Sequence, residues 1–177
     1  MGAFGFWLIT KIEERWRKPS IRIEYGVDYP FRASALFENG QKAEFIRVRV
    51  KNEGRGTAKR CKCYIRHITL NAGGRLTRLP SEELMLTSWV PREAGVTVIN
   101  IPSNLDFLAD VAYTIKVGTS FKVAPVFNVQ NQNVSDIFGH VGDFELEVVA
   151  IGENFPTARR TIKFRFDGKS PVLLPLL

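Results

Sequence analysis

Chemically reactive side chains are few in this chain of 177 residues, and their spacing limits what they can do. Cys61 and Cys63 stand at positions i and i+2. On a strand they would point to the same side, where a disulfide between them would be strained. His67 would share that side, which raises a three-ligand metal site as a possibility. Zinc sites need a fourth ligand or a deliberate open position, and His140 is the only other histidine. We therefore expect two reduced, buried cysteines, a structural His67 and no metal or other cofactor.

Motifs that carry catalysis do not occur in the sequence. No glycine-rich phosphate loop opens a helix, and there is no G-x-S-x-G nucleophile elbow. The adjacent carboxylates Glu82 and Glu83 would diverge on a strand, and we expect them in a solvated turn. Two histidines leave little for acid–base chemistry. The sequence predicts that the protein is not an enzyme.

Composition and charge describe a folded domain with a basic first third. The chain is 45% hydrophobic and 24% charged, which is ordinary for one globular domain. Residues 1–66 contain 15 Lys and Arg against 7 Asp and Glu, whereas residues 67–177 contain 10 against 11. This asymmetry favours an acidic partner, either an anionic membrane or a nucleic acid. With two cysteines only, a disulfide framework is not expected, which favours a compartment that is not oxidising.

The sequence is organised around residues 45–70, FIRVRVKNEGRGTAKRCKCYIRHITL. Isoleucine and valine alternate with arginine and lysine between residues 46 and 51, which is the period of a half-buried strand. Asparagine and glycine then interrupt the alternation at residues 52–56, and both suit a tight turn. A second strand from about residue 58 places Cys61 and His67 on its core side. We predict a β-hairpin here.

A second hairpin is predicted at residues 144–166, where two alternating segments flank a turn at residues 152–154. Its outward sides carry glutamate on one strand and lysine or arginine on the other, an arrangement that stabilises paired strands. In both hairpins, the apolar residues of each alternating strand are predicted to be buried. They are Ile46, Val48, Val50, Phe144, Leu146, Val148, Phe164 and Phe166.

Cations on the outward side of the first hairpin form a predicted basic face, which consists of Arg47, Arg49, Lys51, Lys62 and Arg66. Such a face could bind nucleic acid. Binding of single strands usually adds aromatic side chains on which bases stack, and only Tyr64 is interleaved with these cations. Nucleic-acid binding is therefore the weaker alternative.

The run Val48-x-Val50-x-Asn52-x-Gly54-x-x-x-Ala58, followed by Cys63-x-Ile65, resembles the signature of the CARDB-like modules. These modules are immunoglobulin-like β-sandwich domains of archaeal and bacterial proteins, often tied to membranes or cell surfaces. The resemblance covers roughly residues 44–65, with a weaker echo at residues 142–166. It implies an all-β, immunoglobulin-like antiparallel sandwich, and it implies no catalytic residues.

The N-terminal residues combine an apolar cluster with cations. Residues 2–9, GAFGFWLI, are too few to span a bilayer, which takes about 20 residues. A short helix that ends at Pro19 would suit a membrane interface, or it would pack against its own domain or a second copy. The candidate contact residues are Phe4, Phe6, Trp7, Leu8, Lys11, Arg15, Arg17 and Lys18.

The sequence thus predicts three parts: an apolar and basic N-terminal helix at residues 1–18, a β-sandwich at 19–168 and an apolar tail at 169–177. The tail either docks on the domain or contacts a partner. We expect a non-catalytic binding or structural module, membrane-associated on the cytoplasmic side or cytoplasmic. Its expected partner is an anionic membrane surface or another protein. The alternatives are a nucleic-acid-binding domain and a subunit of a larger assembly, with an oligomer formed through the helix or the tail.

Overall fold

A computed structural model describes most of the predicted sandwich and little of the N-terminus. The predicted N-terminal helix falls outside the described residues except for its last position, Lys18. Within the described part the chain is all-β and contains no helix. The residues that the structure describes are 18–36, 40, 42–79, 84–86, 89–90, 96–117, 120–125, 141–168 and 171–174.

Thirteen strands are formed by these residues. In chain order they are β1 (Ile21–Glu24), β2 (Arg32–Leu36), β3 (Lys42–Asn52), β4 (Ala58–Ala72), β5 (Arg75–Leu79), β6 (Leu84–Met85), β7 (Trp89–Val90), β8 (Ile99–Ile101), β9 (Asp106–Val117), β10 (Ser120–Pro125), β11 (Gly142–Ile151), β12 (Ala158–Phe166) and β13 (Pro171–Leu173).

The strands form two antiparallel sheets with a β-sandwich-like arrangement. In the first sheet, β1 and β2 flank one side of β3, and β9 follows with β7 and β10 on its far side. In the second, the order is β13-β12-β11-β4, with β5, β6 and β8 on the far side of β4. Inward side chains of both sheets belong to one hydrophobic core. The predicted all-β antiparallel architecture is confirmed.

The predicted core is also confirmed. All eight side chains that the alternation assigned to it are at most 1% exposed. Phe144 and Phe164 lie opposite each other on β11 and β12, and their rings stack with centroids 5.0 Å apart. These two strands pair continuously from Gly142 with Phe166 to Ala150 with Ala158, so the second hairpin exists as predicted.

The prediction of a hairpin at residues 45–70 is wrong. Both of its strands exist, but they do not pair with each other. Strand β3 pairs with β1, β2 and β9, whereas β4 pairs with β11, β5, β6 and β8. The chain therefore crosses from one sheet to the other through residues 53–57, which we call the arch. Alternation cannot distinguish an arch from a hairpin, because both point the apolar phase of the two strands into a shared core.

The side chain of Asn52 directs this crossing. It is fully buried at the end of β3. Its Oδ1 accepts hydrogen bonds from the backbone N–H groups of Ser20 (3.1 Å) and Gly54 (3.0 Å). Its Nδ2 donates to the carbonyl oxygens of Gly56 (2.7 Å) and Ile101 (2.9 Å). One side-chain amide thus forms hydrogen bonds with backbone groups of the arch, of the entry to β1 and of β8. These backbone groups therefore need no partner from a neighbouring strand.

Close packing at Gly54 supports the same geometry. A Cβ atom on this residue would lie 2.4 Å from the Ser20 nitrogen and 2.5 Å from the Lys18 carbonyl oxygen. Only glycine allows the two backbone segments to approach this closely. The entry segment is also held by the N–H of Glu53, which donates to the Ser20 carbonyl oxygen at 2.8 Å.

A β-bulge in β4 overturns the predicted position of His67. Ile65 pairs with Val148 and His67 pairs with Glu147, so Arg66 is an extra residue in β4. The bulge shifts the alternation by one residue. As a result Ile68 is fully buried, whereas the His67 side chain is 44% exposed on the outer side.

Residues 171–174 of the predicted tail dock on the domain. Strand β13 pairs with β12, and the N–H of Leu174 donates to the Lys163 carbonyl oxygen at 2.9 Å. The hydroxyl of Tyr25 donates to the Leu174 carbonyl oxygen at 3.2 Å. Burial raises the pKa of the Tyr25 phenol.

Replacing Asn52 with alanine should destabilise the domain strongly. The substitution leaves buried donors and acceptors without partners, each worth about 1–3 kcal/mol, and we expect a total loss of about 3–5 kcal/mol. Urea unfolding followed by tryptophan fluorescence measures this loss. Asn71→Ala, at an exposed position of β4, is the matched control and should change the unfolding free energy by about 0.5 kcal/mol or less. Equal effects of the two substitutions would contradict the role assigned to Asn52.

Candidate interaction surface

The predicted basic face is not one surface. Arg47, Arg49 and Lys51 lie on β3, and Lys62 and Arg66 lie on β4. Since β3 and β4 belong to different sheets, cations that point away from the core on one strand lie on the opposite side of the molecule from those on the other. The prediction was wrong because it assumed that β3 and β4 pair.

Arg47 is held by a buried carboxylate. Its Nε lies 2.6 Å from Oδ1 of Asp110, and the two side chains are 13% and 0% exposed. The guanidinium also lies over the ring of Phe45, 5.5 Å from its centroid, and Phe45 in turn contacts the ring of Tyr113 at 5.7 Å. This arrangement is a structural ion pair on the outer side of the first sheet, with little of the cation left accessible to a polyanion.

The other two β3 cations of the predicted basic face, Arg49 and Lys51, also have carboxylate partners. Arg49 lies 3.0 Å from Asp106 and 3.5 Å from Glu24. Lys51 lies 3.5 Å from Glu53. A surface whose cations already have carboxylate partners attracts a nucleic-acid backbone weakly, because binding would first have to displace those partners.

Cross-strand ion pairs also balance the outer side of the second sheet. Glu145 lies opposite Lys163, and their charged atoms are 3.1 Å apart. Asp143 lies opposite Arg165, and Nε of Arg165 is 2.6 Å from Oδ1 of Asp143. The hydrogen bond from this guanidinium lowers the pKa of the Asp143 carboxyl. The predicted alternation of opposite charges on this hairpin is therefore confirmed.

The unbalanced positive charge lies at one end of the sandwich, which we call the arch end. Four segments meet there, and hydrogen bonds join them. Asn52 joins the arch to Ile101, as described above. The side-chain amide of Asn154 donates to the Thr57 carbonyl oxygen at 3.0 Å and accepts from the Lys59 N–H at 2.9 Å. The arch end comprises residues 18–22, 51–62, 99–106 and 151–160.

The arch end carries nearly all of the net positive charge of the protein. Its four segments contain nine Lys and Arg and three Asp and Glu, a net charge of +6, while the whole chain carries +7. Residues 1–17 add +1, so the remainder of the chain is balanced. The exposed cations of the arch end are Lys18, Arg22, Arg55, Lys59, Arg60, Arg159 and Arg160.

Of the predicted contact residues at the N-terminus, only Lys18 is described, and it lies at the arch end. The arch end is not apparent from the sequence, because its members are spread over 143 residues, from 18 to 160. One signal was available. Cations flank both glycine- and asparagine-containing turns, in NEGRGTAKR and in GENFPTARR. This pattern indicates that the two turns lie at the same end of the sandwich only once the strand order is known.

Both thiols lie in the hydrophobic core. Cys61 and Cys63 are free and fully buried. Burial raises the pKa of Cys61 to about 12 and that of Cys63 well above its usual value. His67, predicted on the same side, lies outside the core, where Arg78 donates to its Nδ1 at 2.6 Å. Among the described residues, no three side chains of the metal-binding types cluster together.

Comparison with known proteins identifies no relative: no protein-family model matches the chain, and no curated protein is significantly similar to it. Nothing in the described part of the chain is a helix with the length and apolarity to cross a bilayer.

Removing the Arg47 cation should lower the free energy of unfolding, because the charge of Asp110 is buried. Arg47→Met removes the cation that pairs with the buried Asp110 carboxylate, and we expect a loss of about 3–5 kcal/mol in the free energy of unfolding. Adding Asp110→Val should recover most of that loss, because the double variant buries no charge. Chemical denaturation measures both. The control is Lys163→Met, which removes an exposed pair and should cost about 1 kcal/mol or less. A loss no greater than the control's would show that the Arg47 pair is an ordinary surface contact.

Neither thiol should react in the folded protein at pH 8. A pKa of about 12 for Cys61 leaves very little thiolate, and the thiolate is the reactive form. An aromatic disulfide reagent should therefore release almost no chromophore until denaturant is added, and should then count two thiols. Rapid reaction of either thiol without denaturant, or bound zinc by elemental analysis, would contradict this assignment.

Proposed function

We propose that the protein is a non-catalytic, immunoglobulin-like β-sandwich module that docks on an anionic membrane surface through its N-terminal segment. The strand order supports the fold part of this proposal. In immunoglobulin domains, strands A, B and E share one sheet and strands C, F and G share the other. Here β1, β3 and β9 are neighbours in one sheet, and β4, β11 and β12 are neighbours in the other. The CARDB-like resemblance belongs to the same proposal.

One observation carries the docking part. The backbone of Lys18 and Ser20 packs against Gly54 in the arch, so the N-terminal segment joins the sandwich at its arch end. That end holds six of the seven net positive charges. In the sequence, the apolar cluster at residues 4–9 therefore precedes a segment that enters a basic surface. Apolar insertion combined with cationic attraction gives reversible membrane binding, and neither term suffices alone.

Nucleic-acid binding by the predicted basic face is supported less well. Arg47 and Arg49 have carboxylate partners, and Lys62 lies in the other sheet. A single face that presents all of these cations to one polyanion is therefore not available.

The full chain should sediment with vesicles that contain about 30% phosphatidylserine. Binding should weaken in high salt, because salt screens the cationic attraction. Replacing Phe4, Trp7 and Leu8 with serine should weaken binding roughly 100-fold or more, because each large apolar side chain contributes about 1.5–3 kcal/mol when buried.

The matched control replaces Leu36 and Leu76, which are 73% and 72% exposed at the opposite end of the sandwich, with serine. It should bind like the native chain. Absence of binding by the native chain at low salt, or equal binding by the triple variant and the control, would refute docking through the N-terminus.

A further inference from the structure

We propose that the arch end is itself a membrane contact, so that the sandwich stands on this end with its strands directed away from the bilayer. The ligand is the phosphate and carboxylate surface formed by anionic lipid headgroups. This inference rests on the proposed docking function and adds a second contact that the N-terminal segment does not provide.

The acidic side chains of the arch end do not cancel its charge. Glu153 lies 3.2 Å from Arg60. Glu53 lies 3.6 Å from Arg22 and 3.5 Å from Lys51. The third acidic residue of the arch end, Asp106, lies beside Arg49 on the outer side of the first sheet. The net charge of +6 therefore remains on an end whose cations are mostly exposed.

The arch end also carries an exposed apolar side chain. Leu105 is 50% exposed in the turn between β8 and β9. Its carbonyl oxygen accepts from the Asn52 N–H at 3.0 Å, and Asn104 before it has a φ of 60°, in the left-handed region. The turn therefore presents Leu105 on a fixed backbone. An end that combines exposed cations with an exposed leucine matches the headgroup layer, which offers negative charge above an apolar interior.

The backbone that carries the cations is also fixed. Arg60 has a φ of 51°, which is unusual for a residue with a long side chain. Its N–H donates to Oδ1 of Asn100 at 2.9 Å, and the neighbouring Lys59 N–H donates to Asn154. The structure thus holds Arg60 in a costly conformation with side chains from two other segments. Such strain is commonly kept where a side chain must be directed for binding.

A bilayer fits this end better than a nucleic acid does. Phe155 is the only aromatic residue of the arch end, and it packs against the hydrophobic core. A platform on which bases could stack is therefore not present among these described segments. The described chain enters the sandwich at this same end, through Lys18 and Ser20, and a bilayer can accept contacts from this end and from the apolar residues that precede it in the sequence.

The test compares charge reversal at the two ends of the sandwich. One full-length variant carries Lys59→Glu, Arg159→Glu and Arg160→Glu. The matched control carries glutamate at three exposed cations of the other end: Lys42→Glu, Arg75→Glu and Arg78→Glu. Both variants lower the net charge from +7 to +1, so any difference between them reflects position and not total charge.

Partitioning is measured by sedimentation with vesicles of phosphatidylcholine and about 30% phosphatidylserine at low salt. The arch-end variant should bind more than about 100-fold more weakly than the native chain, because losing each of the three cations costs about fivefold and the glutamates add repulsion from the anionic leaflet. The control should stay within about threefold. A glutamine version of the arch-end variant, which removes the three cations without adding negative charge, should bind roughly 100-fold more weakly. Thermal unfolding establishes that each variant is folded.

The outcomes separate this inference from the proposed docking function. Equal partitioning of the arch-end and control variants would overturn the arch-end contact, while the serine variants of the N-terminus would still test docking on their own. Native-like binding by the N-terminal variant, together with loss in the arch-end variant, would support the arch-end contact and refute the N-terminal one. Tight binding to a single-stranded oligonucleotide with no binding to vesicles would overturn the membrane assignment.

Discussion

The hydrogen bonds of the Asn52 side chain are the interaction on which the rest of this structure depends. A buried amide has four hydrogen-bonding positions, and here each of them meets a backbone group. Because these groups come from the arch, the entry to β1 and the end of β8, one side chain joins segments that are distant in sequence. An incompletely satisfied amide at this depth would be costly, so the site specifies one arrangement of the chain.

The location of charge follows from that arrangement. Once β3 and β4 occupy opposite sheets, the cations of β3 face acidic residues such as Asp110 on its neighbour β9. The cations that flank the arch and the turn between β11 and β12 come together at the arch end instead. The same crossing brings the N-terminal segment to that end, through the contact of Lys18 and Ser20 with Gly54. Fold and proposed function are therefore connected by one local interaction.

The strands and the core could be predicted from the sequence, whereas their pairing could not. Alternation of Ile46, Val48 and Val50 with cations sets which side of β3 is buried, whatever strand lies beside it. The partner of β3 depends on hydrogen bonds between distant segments, which a local pattern does not contain. His67 was misplaced for a related reason. One extra residue, Arg66, shifts the alternation, and nothing in the sequence distinguishes a bulge from a regular strand at that point. The arch end was missed because its charges are adjacent only after the sheets form.

The most direct test of this account is the depth of a spin label at each end of the sandwich on anionic vesicles. Cys61 and Cys63 are fully buried, so a nitroxide can be attached selectively at Leu105→Cys in the arch end or at Leu76→Cys at the opposite end. Oxygen, which is enriched in the bilayer, and a water-soluble nickel complex report depth through relaxation of the nitroxide. The account predicts that the label at position 105 lies within the headgroup region and is shielded from nickel, while the label at position 76 stays in water. A label at position 105 that remains as accessible to nickel as the one at position 76, on vesicles that bind the protein, would contradict it.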